Sequence, residues 1–245
     1  MKQLLLILFL SISVFGFQQQ ARPIHVFMIG DSTMADKDPK TEPETGWGQM
    51  LQSFFKDTVK VSNHAKNGRS SKSFIDEGLW KVVLDSMQSG DYVIIQFGHN
   101  DQKPDEARHT DPFTTYKGNL QKYIKETRAK GAFPILCTSI VRRKFDEQGN
   151  LTDTHGDYPG AVRQAAQELK VPLLDLQLKT QKLVSDLGPE KSKSIYLYAL
   201  PNAYPNRPEG VQDDTHLNVE GATAVARIAV EEIKALKLPL AEYLK

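Results

Sequence analysis

The feature that most constrains this chain is a series of short, β-favouring apolar runs, each of which stops at a polar or glycine-bearing cluster. The runs are Ile24 to Ile29, Val59 to Ser62, Tyr92 to Phe97, Phe133 to Ser139 and Pro172 to Asp175. Between them lie stretches with the period of an amphipathic helix: Gly48 to Phe55, Ser73 to Met87, Tyr116 to Ala129 and Ala161 to Leu169. A last helix is expected from Val219 to about Leu236. Strands that alternate with helices connect by crossovers, so the pattern predicts an α/β fold, a parallel sheet covered by helices on both faces. Two connections are long for such a fold, Gly98 to Thr114 and Arg142 to Pro159. Loops of that length serve function or are solvated decoration, and residue content does not separate the two.

The first residues carry a different signal. Lys2 precedes an apolar stretch from Leu4 to Phe17, interrupted only by Ser11, Ser13 and Gly16 and ended by Gln18-Gln19-Gln20. That run is shorter than the roughly 20 residues a membrane-spanning helix needs, and it reads as a secretory signal peptide over residues 1–20. The reading predicts a secreted or periplasmic bacterial protein whose mature chain, residues 21–245, is one domain without membrane insertion. With 245 residues, 40% of them hydrophobic, such a domain has material for a sizeable core. The 31 basic and 30 acidic residues leave no strong field to draw in nucleic acid. Cys137, the only cysteine, lies in an apolar run and reads as a core residue, so no internal disulfide is expected.

Parallel sheets of this kind bind ligands outside the carboxyl ends of their strands, so the segments that follow the strands belong together. They are Gly30-Asp31-Ser32-Thr33, then Asn63-His64-Ala65-Lys66-Asn67-Gly68-Arg69-Ser70, then Gly98-His99-Asn100-Asp101; Asp213-Asp214-Thr215-His216 stands before the last helix. A serine hydroxyl needs a base to take its proton, and the base needs a third group to hold its tautomer. Ser32, His216 and an aspartate of the same segment supply the three. Three residues apart on a turn, the Asp213 carboxylate reaches Nδ1 of His216 and leaves Nε2 for Ser32, although spacing alone does not separate Asp213 from Asp214. Attack on an ester creates an oxyanion, for which the Ser32 and Gly68 amides and the Asn100 side chain are candidate donors. Each segment alone also reads as an ordinary turn or helix cap; it is their joint position at strand ends that points to chemistry.

The histidines and aspartates are also of metal-ligating type, but no spacing resembles a zinc signature, and no metal is expected. There is no Gly-x-Ser-x-Gly elbow and no phosphate-cradling glycine loop. No cofactor is called for.

These segments resemble the SGNH hydrolases (GDSL-like), whose name lists the serine, glycine, asparagine and histidine found here as Ser32, Gly68, Asn100 and His216. Gly30-Asp31-Ser32-Thr33-Met34-Ala35, Gly46-Trp47-Gly48, His64 to Ser70, Gln96-Phe97-Gly98-His99-Asn100-Asp101 and Asp213-x-x-His216 are similar to those of the rhamnogalacturonan acetylesterases. The resemblance implies a three-layer α/β/α sandwich with a five-stranded central parallel sheet, the flavodoxin-like SGNH fold. It implies the triad Ser32, Asp213 and His216, choosing Asp213 by family position, and the oxyanion donors Ser32, Gly68 and Asn100. The implied partner is an acetylated polysaccharide or oligosaccharide. The implied reaction removes acetyl groups from pectic sugar hydroxyls through an acetyl-serine intermediate. Galacturonate carries carboxylates, so cations are candidate contacts: Arg69 and Arg142, and beside them Lys66 and Arg143. Asp31 and Trp47 complete the candidate sugar contacts; a solvated role for the cations and core burial for Trp47 are the alternatives. Rival readings are an acetylesterase for xylan or another glycan, a lipase-like or thioesterase member, and a carbohydrate-binding protein without catalysis.

Overall fold

The computed structural model describes residues 22–245; the leader predicted for residues 1–20 lies outside them. Five parallel strands form the central sheet in the order β2-β1-β3-β4-β5: β1 (Ile24–Gly30), β2 (Val59–Asn63), β3 (Tyr92–Gln96), β4 (Phe133–Cys137) and β5 (Leu173–Leu174). Their positions follow the apolar runs. The ends differ where side chains take over from the ladder: Thr138 donates to Asp175, and Ser139 to the Phe97 carbonyl, once β4 has ended.

Successive residues of a strand face opposite sides, and here both sides are buried. Val26 and Met28 of β1 pack with Ile94, Ile135 and Cys137 against α1 (Trp47–Leu51), α6 (Leu176–Lys191) and α7 (Val219–Ala235). Phe27 and Ile29 pack with Val93, Ile95 and Leu136 against α2 (Ser71–Asp76), α3 (Leu79–Ser86), α4 (Lys117–Ala129) and α5 (Tyr158–Leu169). The result is the expected three-layer sandwich. Among the described residues no helix is long and apolar enough to cross a membrane.

The helix expected over Ser73 to Met87 is two helices, because Gly78 takes a left-handed conformation (φ 74°) between them. Helix α6 was not foreseen, and neither was the antiparallel pair β6 (Tyr196–Ala199) and β7 (Val211–Leu217) outside the main sheet. That pair corrects one expectation: Asp213 and His216 stand on a strand rather than on a turn.

In the order β2-β1-β3 the chain leaves β1 to one side and later returns to the other. The resulting crevice lies at the carboxyl ends of β1 and β3, where such sheets place their ligands. Gly30 pairs with Gln96 at that edge, so the residues that follow both strands emerge side by side.

Candidate active site

The turn after β1 is built around Asp31. Its backbone carbonyl accepts from the amides of Met34 (3.2 Å) and Ala35 (3.0 Å), and its Oδ1 accepts from the Thr33 amide (2.9 Å) and hydroxyl (2.8 Å). A second layer locks the first: Gln96 Nε2 donates to Thr33 Oγ1 at 2.8 Å, and the Trp47 indole donates to Gln96 Oε1 at 3.0 Å. All four side chains are sealed from solvent. The start of α1 closes over the turn as well, with the Trp47 amide on the Thr33 carbonyl and the Gly48 amide on the Met34 carbonyl. A Cβ on Gly46 would stand 2.0 Å from the Ala35 carbonyl oxygen, and one on Gly48 2.5 Å from that of Met34. The Gly-Trp-Gly segment is therefore the surface on which the Ser32 turn rests.

Ser32 itself is partly exposed. Its Oγ lies 2.9 Å from His216 Nε2, and His216 Nδ1 lies 2.7 Å from Asp213 Oδ2. Residues three apart on a regular strand point to opposite faces; here they meet because the ladder is broken. Tyr196 pairs with Leu217 and the next residue, Leu197, with Asp213, so Asp214, Thr215 and His216 bulge out of the pairing. Asp213 Oδ1 accepts from the amides of Thr215 (2.7 Å) and His216 (3.0 Å), which folds the bulge around the carboxylate. Burial alone would raise the Asp213 carboxyl, but the His216 ring and these amides outweigh it and hold the group well below the usual carboxylate range. Asp214 is engaged elsewhere: its Oδ1 accepts from Arg143 (2.8 Å) and Tyr198 (2.6 Å), and its carbonyl from the Arg143 amide (2.7 Å). The ambiguity between the two aspartates is thus resolved in space, since Asp213 is the one that meets the imidazole.

The other two strand-end segments are stitched to each other. Asn100 Nδ2 donates to the Arg69 carbonyl (3.1 Å), while Asp101, fully buried, accepts from the Ser71 amide (3.0 Å), the Ser71 hydroxyl and Thr110 Oγ1 (3.0 Å). Burial pushes the Asp101 carboxyl up to about 7 against those donors, which favour its ionised form. Gly68 has φ +78°, a conformation other residues rarely adopt, and an added Cβ would meet no protein atom within 4 Å. Its glycine is therefore required by the backbone angle rather than by crowding from the protein. Among the described residues the amides of Ser32 and Gly68 donate to no protein acceptor. Two main-chain donors and one proton of the Asn100 amide are thus available at the crevice, beside a hydroxyl already aligned with an imidazole.

Residues 28–224 match the model of the GDSL-like lipase/acylhydrolase family. The chain belongs to this family. It is 44% identical to the rhamnogalacturonan acetylesterase RhgT of Bacillus subtilis (strain 168), over 91% of this chain and 95% of that protein. It is also 30% identical to a rhamnogalacturonan acetylesterase of Emericella nidulans, over 82% of this chain and 81% of that one. Among solved structures, YxiM of Bacillus subtilis superposes with a TM-score of 0.75 at 29% identity, covering 88% of this chain and 57% of that one. An acetylxylan esterase from Geobacillus stearothermophilus, Axe2, shares the fold with a TM-score of 0.61 at 21% identity, over 86% of this chain and 94% of that one.

On this GDSL-like scaffold the candidate sugar contacts fare unequally. Trp47 and Asp31 are both fully buried and present no surface to a sugar; they support the Ser32 turn from behind. Arg143 is 8% exposed and holds Asp214, Tyr198 and Ser192. Arg142 is half-buried and spends its guanidinium on the carbonyls of His99 (3.2 Å) and Thr154 (3.1 Å). Arg69 forms a two-point contact with Glu77, from Nε at 2.9 Å and Nη2 at 2.8 Å.

Several supporting residues escaped the sequence reading. Gln96 and Thr33 lie inside the motif segments but carry no separate signal in the sequence. The two long loops meet through His155, whose Nε2 lies 3.1 Å from His99 Nδ1. Burial holds both imidazoles below the usual histidine range, His99 well below and His155 down to about 4, so both are neutral at physiological pH. Among the described residues, no three His, Cys, Asp or Glu side chains gather as a metal-binding group.

Proposed function

We propose that this protein is a serine esterase that removes O-acetyl groups from rhamnogalacturonan, with Ser32 as nucleophile, His216 as base and Asp213 as the group that orients it. The observation that carries the reading is the Ser32, His216 and Asp213 relay at 2.9 and 2.7 Å, in a chain 44% identical to a rhamnogalacturonan acetylesterase.

Ser32 Oγ attacks the acetyl carbonyl carbon as His216 Nε2 takes the hydroxyl proton. The carbonyl oxygen becomes an oxyanion and accepts from the Ser32 and Gly68 amides and from Asn100 Nδ2. The carboxylate of Asp213, ionised throughout, stabilises the imidazolium. Collapse breaks the bond to the sugar oxygen, which leaves with the proton from His216, and Ser32 is acetylated. Water, deprotonated by His216, then attacks the acetyl-serine; acetate departs and the serine regains its proton. No cofactor enters any step. A polymeric plant-wall substrate lies outside the cell, which accords with residues 1–20 acting as an export leader.

Acetate release from acetylated rhamnogalacturonan, acetylated xylan and a small aryl acetate tests the substrate. The expected order places rhamnogalacturonan first. Faster release from xylan would overturn the pectic reading while leaving the esterase chemistry standing.

A further inference from the structure

We propose that Lys66 is the carboxylate-recognition residue for a uronic acid unit of the polymer, seated in a polar cavity beside the Gly68 loop. The inference rests on the pectic reading above and deepens it.

A cavity of about 520 Å³ opens between the loop after β1 and the loop after β2, lined among others by Asp36, Asp38, Asn63, Lys66, Asn67 and Arg69. It has the volume for a sugar ring. Asn67 and Arg69 flank Gly68, so the cavity shares a wall with the loop that carries a proposed oxyanion donor. The Lys66 amide donates at 3.0 Å to the carbonyl of Gly30, two residues before Ser32, which ties the main chain of this loop to the end of β1.

The cations near the crevice are not equivalent. Arg143 and Arg142 are committed to internal partners, and Arg69 to Glu77. Lys37 has a side chain only 2% exposed and is held by Glu44 (2.7 Å) and Asn67 (2.8 Å). Lys66 is exposed, lines the cavity, and its ammonium has no hydrogen-bond or ion-pair partner among the described residues. A galacturonate unit carries its acetyl ester and its carboxylate on one ring. Lys66 stands two residues before Gly68 in the loop that carries a proposed oxyanion donor, so its free ammonium suits that pair of groups, through a charge-assisted contact. Asp36 and Asp38 give the same cavity acceptors for sugar hydroxyls and repel a ring that presents its carboxylate to their loop. The cavity thus selects orientation as well as charge.

The test compares wild type, Lys66→Met and Lys66→Arg on acetylated rhamnogalacturonan and on the same polymer after carboxyl reduction, which keeps the sugars and removes the charge. Lys66 is exposed, so neither variant threatens folding. In Lys66→Met the ratio of kcat/KM on the charged polymer to that on the neutral one is expected to fall about tenfold, mainly through KM, with Lys66→Arg recovering most of the ratio. An unchanged ratio in Lys66→Met, or equal loss on both polymers, overturns the inference while the pectic reading stands. Failure of the wild type to deacetylate the charged polymer overturns both.

Discussion

Ser32 sits on a turn whose supporting side chains, Asp31, Thr33, Gln96 and Trp47, are sealed inside the sheet edge. Asp213 and His216 instead stand on a bulged hairpin outside the central sheet, with side chains 31% and 26% exposed. The serine side inherits its geometry from the core, because the hydrogen bonds that fix it join buried polar atoms, each of which costs about 1–3 kcal/mol when left unpaired. The histidine side is held by local amides, the Arg143–Asp214 ion pair, the Arg143 amide and the Tyr198 hydroxyl. A site of two such halves is tuned differently on each side: the serine by buried hydrogen bonds, the imidazole by a bulge.

Variants on the two sides therefore fail in distinguishable ways. The largest effect is expected for Asp213→Asn, which leaves the fold intact but presents the wrong partner to the imidazole; kcat should drop about 10⁴-fold. A similar loss in Asp214→Asn would overturn the assignment of roles within the bulge. Asn100→Ala should lower kcat by about 10²–10³ with little change in KM, as expected for an oxyanion donor. A rise in KM alone would make Asn100 a ground-state contact instead.

Thr33→Val should combine about a tenfold fall in kcat with about 1–3 kcal/mol of lost stability, since it orphans Gln96 Nε2 and removes one of the two Thr33 donors to Asp31 Oδ1. Chemical denaturation beside kinetics reads both; lost stability at full activity would show that the buried layer does not position Ser32. Asp214→Asn comes next, with less than a tenfold effect on kcat, because Tyr198 and the Arg143 amide still hold the bulge.

The smallest effect to resolve is titration. The Asp101 carboxyl is raised, to about 7, above its unfolded value of 3.8, so its contribution to stability is full below pH about 4 and lost as pH rises through about 7. Asp213 is lowered, so its contribution is present above pH about 4 and lost as pH falls through its folded value. Carboxyl-carbon NMR should therefore show Asp101 titrating near pH 7 and Asp213 still ionised well into acid. The reverse order would contradict the burial assigned to each.

The same contrast governs what could be read from sequence. The five sheet strands are buried on both faces and appear as continuous apolar runs, so their positions were legible to within a few residues. The serine side followed, because its segments begin where those runs stop. The hairpin did not: β7 breaks its alternation at Asp214, Thr215 and His216, leaving no strand signal in the segment that carries His216. Helix α6 buries only Leu176, Thr180 and Val184 and shows no clear apolar stripe. The buried supports were hidden for another reason: Trp47 and Asp31 are residue types that suit a sugar contact equally well, and only packing separates the two uses. The cations posed the same problem, since a sequence does not show which charges are already paired.

The role of Ser32 is tested by acetate release from acetylated rhamnogalacturonan by wild type and by Ser32→Ala, at equal concentrations of folded protein. Release by the wild type is expected and, with the Ser32 hydroxyl gone, a fall in turnover of about 10⁶-fold in the variant. Comparable release by both would contradict it, because the hydroxyl 2.9 Å from His216 would then not be the group that takes the acetyl.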